Sequence, residues 1–312
     1  ENQYTGTINH SRHAQLMRMD NLFEEVEAKV LKMLEPGSDV MGMIAGAPTH
    51  DGDSVDRDRT STKLTSKPVV IGDAVPVPPI CPEPVEQLLQ AALAHHNLGS
   101  FEEALKFLEA ARMQLEDIAR RVEPAPLPVR AADDSADEGE DGDKDTTSEA
   151  DFSAPEPAVA SIPLDLELYV TLCKGNVYQS CGDDEQSLLH YMDGWDRALA
   201  DADRDWEIVC LNSIGTLAYY SLRYDVALLC FGAVAAYRQS TYGLNSADTA
   251  TAWNNEAASM FCLGRRAESR LRFEKGWAVM CKVLGHRAPR SVTTWKNLEK
   301  SRRAAAASKS SA

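Results

Sequence analysis

The 312-residue chain has no apolar run approaching the roughly 18 to 20 residues that cross a bilayer, so no membrane association is expected. Its opening, ENQYTGTINHSRHAQLMRMD, holds neither the basic start nor the apolar stretch of a secretory leader. The seven cysteines are odd in number and form no Cys-x-x-Cys pair, which argues against a disulfide framework or a zinc knuckle. Those set in helical pattern act as small hydrophobes, and a reduced, cytoplasmic compartment is expected. The Asn9-His10-Ser11 sequon is accordingly read as coincidence.

Catalytic signatures are also missing. The sequence contains no G-x-x-x-x-G-K loop, no G-x-G-x-x-G after a strand, no H-E-x-x-H and no G-x-S-x-G. The stretch DADRDWE places Asp201, Asp203 and Asp205 like the start of a calcium loop, but Trp206 stands where that loop needs Gly and Asn212 where it needs a bidentate Glu. It reads as a solvated turn. His95 and His96 are neighbours in a helical stretch, point to different faces and have no third ligand in register. A non-enzymatic protein with no cofactor and no metal is therefore expected.

From Leu164 to about Ala307 no stretch alternates apolar and polar residues as a half-buried strand would, and the fold class expected is all-α with low-complexity insertions. Residues 1–83 read as an extended arm with one short amphipathic helix at about 21–34, carrying Leu22, Phe23, Val26, Val30, Leu31 and Leu34 and ending at Pro36-Gly37. Residues 38–83, rich in Gly, Pro, Asp, Ser and Thr, are expected to be extended or disordered. A helical hairpin fills 84–122, an acidic and Pro-containing linker 123–160, and helical pattern 161–307, with a tail at 308–312. The linker carries eleven acids between Ala131 and Pro157 against Lys144 alone.

The helical part repeats itself. With Gly264 as a turn, Trp253 and Ala257 lie before it and Phe273 after it; the stretch TATAWNNEAASMFCLGRRAESRLRF carries this frame. Leu211, Gly215, Ala218, Ala227 and Phe231 repeat it around Leu222, and Thr171, Gly175, Tyr178 and Tyr191 around Gly182. Leu88, Ala92, His95, Ala104 and Leu108 repeat it around Gly99. These are the offsets of the tetratricopeptide helix–turn–helix. The small position lets two helices approach, and the aromatic fills the space between hairpins. Thr171, Leu211, Trp253 and Trp295 recur at 40, 42 and 42 residues, longer than the usual period of about 34.

With GLNSADTATAWNNEA (Gly243 to Ala257) and VLGHRAPRSVTTWKNLE (Val283 to Glu299), the chain resembles the kinesin-light-chain type of tetratricopeptide protein. Glu256 stands where that family has Leu, and Arg266 at a usual aromatic position. The resemblance implies an α-solenoid whose first helices line a concave groove. It assigns to that groove Asn212, Thr216 and Tyr219, then Thr251, Asn254, Ala258 and Phe261, then Lys296 and Lys300. Two readings stand side by side for Asn254 and Asn255: hydrogen bonds to the backbone of an extended peptide, or bridges between neighbouring helices.

Charge is uneven. Arg265 to Arg303 holds twelve Lys or Arg against three acids, in a chain of net charge −16. The basic residues Arg265, Arg266, Arg270, Arg272 and Lys275 fit the solvated cap of a terminal repeat, a counterpart to the chain's own acidic linker, or a dock for an acidic surface such as tubulin tails. Nucleic acid is the poorest fit, because the chain as a whole is acidic. The function expected is a protein–protein scaffold with several partners in one large assembly, cytoskeletal by resemblance and of the cilium, flagellum or axoneme type. The arm's apolar face is expected to lie in a partner's groove. A motor-associated cargo adaptor and a regulatory subunit of an enzyme are the alternatives. The adaptor would need a long heptad run before the repeats, and 21–34 is too short for one.

Overall fold

In the computed structural model the described residues are 2–34, 68, 70, 81–122 and 164–310, and all of their regular structure is helical. The expectations for 38–83 and for the linker 123–160 otherwise fall outside these residues. The helices run α1 (Asn2–Met33), α2 (Glu83–Asn97), α3 (Phe101–Val122), α4 (Leu164–Cys181), α5 (Asp184–Ala200), α6 (Arg204–Tyr220), α7 (Tyr224–Tyr242), α8 (Ala247–Cys262), α9 (Arg266–Leu284) and α10 (Pro289–Ser310). From α2 onward each helix packs on its sequence neighbours, so α2/α3, α4/α5, α6/α7 and α8/α9 form hairpins in a solenoid-like stack ending on α10. No described helix is long and apolar enough to cross a membrane.

The turns explain why the helices stop where they do. Backbone N–H groups of Ser100, Asp183, Asp203, Arg223 and Arg265 bond the carbonyls of His95, Tyr178, Ala198, Ala218 and Met260, at 2.8–2.9 Å. This reach back satisfies end carbonyls and needs one left-handed residue at each turn. Gly264 supplies it at φ +83°, but Leu222 adopts it at φ +67° despite its side chain. Leu222 is largely exposed, so little packing offsets the strain. Leu222→Gly should therefore raise stability by about 0.5–1 kcal/mol, after the extra entropy of glycine in the unfolded chain is deducted. Urea titration checks this; a lower midpoint would show that Leu222 contributes packing that its exposure does not reveal. Caps close the other ends. Asp183 accepts from Gln186 N at 3.1 Å and Asp203 from Trp206 N at 3.2 Å.

Within the hairpins the small and aromatic positions meet. A Cβ on Gly175 would stand 2.5 Å from Tyr191 Cε1, and one on Gly215 would stand 2.9 Å from Phe231 Cε1. The rings lie directly on the glycine backbone, which draws the two helices together. The fourth equivalent, Glu299, is too large for this contact, and Trp295 remains 37% exposed. Trp295 packs instead against Trp277, with ring centroids 4.8 Å apart and Arg302 at 5.5 Å from its ring. The helix α10 thus ends the described stack as a cap.

The acidic linker does not detach the first hairpin. One core joins Val85, Ala92, Ala104, Leu108, Ala111 and Leu115 of α2 and α3 to Leu166, Val170 and Val177 of α4. Leu168 and Leu172 on the other side of α4 enter the main core. Lys174 adds a 2.5 Å bond to Glu109, which Arg112 also reaches. Hydrogen bonds from Arg112 and then Lys174 hold the Glu109 carboxyl down at about 2. A depressed carboxylate contributes its stability above the ordinary value near 4.5 and loses it as pH falls toward about 2. Glu109 is 46% exposed, so solvent screening limits the contribution to about 1 kcal/mol or less. Glu109→Gln should weaken protection of α3 amides at pH 6, and the difference should shrink as pH falls from about 4.5 through about 2. A difference that does not shrink over that range would show that the effect is not this charge.

Candidate protein interaction surfaces

The first-helix line is mostly sealed. Asn212, Tyr219, Thr251 and Asn254 are at most 1% exposed and Phe261 is 9% exposed; Ala258 is buried with them. Every residue of α8 from Thr249 through Phe261 is buried, because α7, α9 and α10 all pack on it. Thr216 is half-buried and bonds its own helix at Asn212 O, 2.8 Å away. Of the residues assigned to the groove, Thr216, Lys296 and Lys300 keep substantial accessible surface.

The asparagines bridge helices. Asn297 Nδ2 donates to Asn254 Oδ1 at 2.9 Å, Asn254 Nδ2 to Asn255 Oδ1 at 3.1 Å, and Asn255 Nδ2 to Asn212 Oδ1 at 3.4 Å. This fully buried ladder ties α10, α8 and α6 together. An amide suits it because each rung must both donate and accept. The sequence reading weighed Asn254 and Asn255 but missed Asn297; its signal was the recurrence of Asn at a separation of 43 residues.

Tyr219 holds a piece of the chain itself. Its hydroxyl donates to Pro68 O at 2.6 Å and lies 3.4 Å from Cys262 Sγ. Pro68 is buried, and Val70 joins the main core. Burial first, and Cys262 second, raise the Tyr219 phenol far above its ordinary range, so it stays a donor at any working pH. Nothing in the sequence pointed from Pro68 to Tyr219.

A second surface lies on α5 and α7, the second helices of their hairpins, where α1 docks. This helix begins at Asn2 and is much longer than the expected 21–34. Polar residues before Met19 conceal it in the sequence, while ion pairs at Arg18 and Asp20 carry its docked part further back. The apolar face expected to await a partner is largely used in cis: Phe23, Val26 and Val30 are buried in the main core and Leu22 packs beside them. Only Leu31 is exposed, at 48%. Arg18 pairs with Glu185 at 2.7 Å, Lys29 with Asp196 at 2.9 Å, and Asp20 with Arg223 at 2.9 Å. The Arg223 guanidinium also lies 5.5 Å from the Phe23 ring.

The basic end is largely paired. Arg265 meets Glu268 at 2.5 Å, Arg272 meets Glu256 at 2.9 Å and Arg270 meets Glu274 at 3.8 Å. Arg266 donates to Ala304 O at 3.3 Å, tying α9 to α10. The departures at Glu256 and Arg266 are thus contacts between helices, and the patch presents less unpaired charge than its composition implies.

Among the described residues no group of three or more His, Cys, Asp or Glu could hold a metal ion. Asp205 accepts from Tyr237 at 3.0 Å and Tyr242 at 3.3 Å, while Asp203 caps α6. Burial pushes the thiols of Cys173 and Cys230 up to about 12, which suits inert hydrophobes. Comparison with protein-family models and with curated proteins found no match to this chain.

Proposed function

We propose that this chain is a non-enzymatic protein–protein interaction scaffold built on tetratricopeptide repeats of the kinesin-light-chain type. The observation that carries the reading is that the stack already holds two segments of its own chain on different surfaces. The chain at Pro68 is bonded through its carbonyl to Tyr219, and a helix is seated on α5 and α7. Burial of the apolar face of an amphipathic helix in a groove is one common way in which one protein holds another. The buried seam of α1 favours the scaffold over the motor adaptor, because its apolar residues are engaged in cis rather than presented for a coiled coil. By resemblance, the setting we propose is a large cytoskeletal assembly of the ciliary axoneme type, with several protein partners.

Cross-linking of the native protein in cells, read by mass spectrometry, tests this. Reproducible cytoskeletal neighbours linked at the solenoid surface are expected, and their absence would overturn the reading. Reversing the charge at Arg265, Arg266, Arg270 and Arg272 should cost few neighbours, since these residues have partners within the chain.

A further inference from the structure

We propose that the groove formed by α5 and α7 is an exchangeable docking site for an amphipathic helix, with α1 as its resident occupant. The partner that fits is a helix carrying the same pattern of apolar and charged residues. This rests on the scaffold reading and specifies one of its partners. The groove reads charge and register together. Arg18 meets Glu185 and Lys29 meets Asp196 at the same sequence separation of 167, so α1 runs parallel to α5 and in step with it over three turns. Asp20, between those cations, meets Arg223 at the start of α7, the other wall. An incoming helix must therefore place cations against α5 and an anion against α7, with an apolar seam spaced like Met19, Phe23, Val26 and Val30. A reversed or slipped helix would carry its anion away from Arg223.

The occupant is built to leave. Its buried seam is short, and each pair that sets its register has one member largely in solvent: side-chain exposure is 60% at Arg18 against 18% at Glu185, 58% at Asp20 against 18% at Arg223, and 54% at Asp196 against 30% at Lys29. Such pairs are individually weak and screened by salt. Residues 34–82 separate α1 from α2, so α1 can undock without opening a hairpin.

The test uses the full chain and a fluorescein-labelled peptide of residues 14–34, read by fluorescence anisotropy. Phe23→Asp with Val30→Asp should release α1 and leave the groove open. The peptide should then bind this variant saturably, and wild type at least about a hundredfold more weakly, because the tethered helix competes at millimolar effective concentration. Glu185→Lys with Asp196→Lys alters only the rim and serves if the first variant does not fold. It should reject the native peptide and accept one carrying Arg18→Glu and Lys29→Glu. Binding that ignores the charge exchange, or equal binding to wild type and the released variant, overturns the proposal. Failure here with cellular neighbours intact removes the groove and leaves the scaffold; exchange without cellular neighbours upholds the groove and removes the scaffold.

Discussion

Trp253→Ala should lower the stability of the stack by about 3–5 kcal/mol, among the largest costs of a single truncation in this protein. Trp253 is 1% exposed on α8, the helix most enclosed by its neighbours. Its Cβ would be 3.8 Å from a side chain at Gly276, and the Lys275 ammonium sits 4.0 Å from its ring centroid. Removing the ring leaves a void that α9 cannot close, because Gly276 already approaches the backbone of α8: its added Cβ would be 3.2 Å from Ala250 O. The two neighbouring hairpins then lose contact area together. Thermal unfolding followed by circular dichroism should show a drop of about 8–15 °C. A melting point within a degree or two of wild type would place Trp253 outside the core.

Asn254→Ala should cost about 2–4 kcal/mol although it removes only an amide. The change takes an acceptor from Asn297 and a donor from Asn255, both 0% exposed, so two buried amides each lose a rung where water cannot replace it. Denaturant titration measures the loss, and a loss of α10 amide protection in hydrogen exchange would locate it. If stability is unchanged, the ladder is dispensable and the peptide-binding reading of Asn254 regains its force. Asn254→Asp separates the same alternatives: it places a carboxylate beside Asn255 Oδ1, where Asn254 Nδ2 now donates, and should destabilise at least as much.

The repeat was legible because its requirements are local. A small residue beneath an aromatic, as in Gly175 with Tyr191, is a property of one hairpin and recurs with it. The hairpin expected over 84–122 appears as Glu83–Val122 for the same reason: Pro84 opens it, Gly99 turns it and Phe101 restarts it. The helix expected at 21–34 was found in the right place but cut short. Before Met19 nothing in the pattern distinguishes a docked polar helix from loop, and the partners of Arg18 and Asp20 lie more than 160 residues away.

The candidate surfaces divide in the same way. The resemblance assigned Asn212, Tyr219, Thr251 and Asn254 to one line along the first helices. How much of that line is open was not readable, because exposure depends on what lands on it: α10 meets Asn254 and Pro68 meets Tyr219. The basic run from Arg265 was visible as charge, yet Glu256, Glu268 and Glu274 answer it across helix turns and between helices.

The sequence by itself determined the helical hairpins of the described residues, their turns and the residues at each packing position, since these follow from periodicity, glycine conformation and side-chain size within one hairpin. Only the tertiary structure decided that the buried face of α1 lies on α5 and α7, that the asparagines join three helices, and that Tyr219 is already bonded to the chain's own backbone. Those outcomes depend on contacts between segments far apart in sequence. An amphipathic face fixes that something must cover it, but not which surface does.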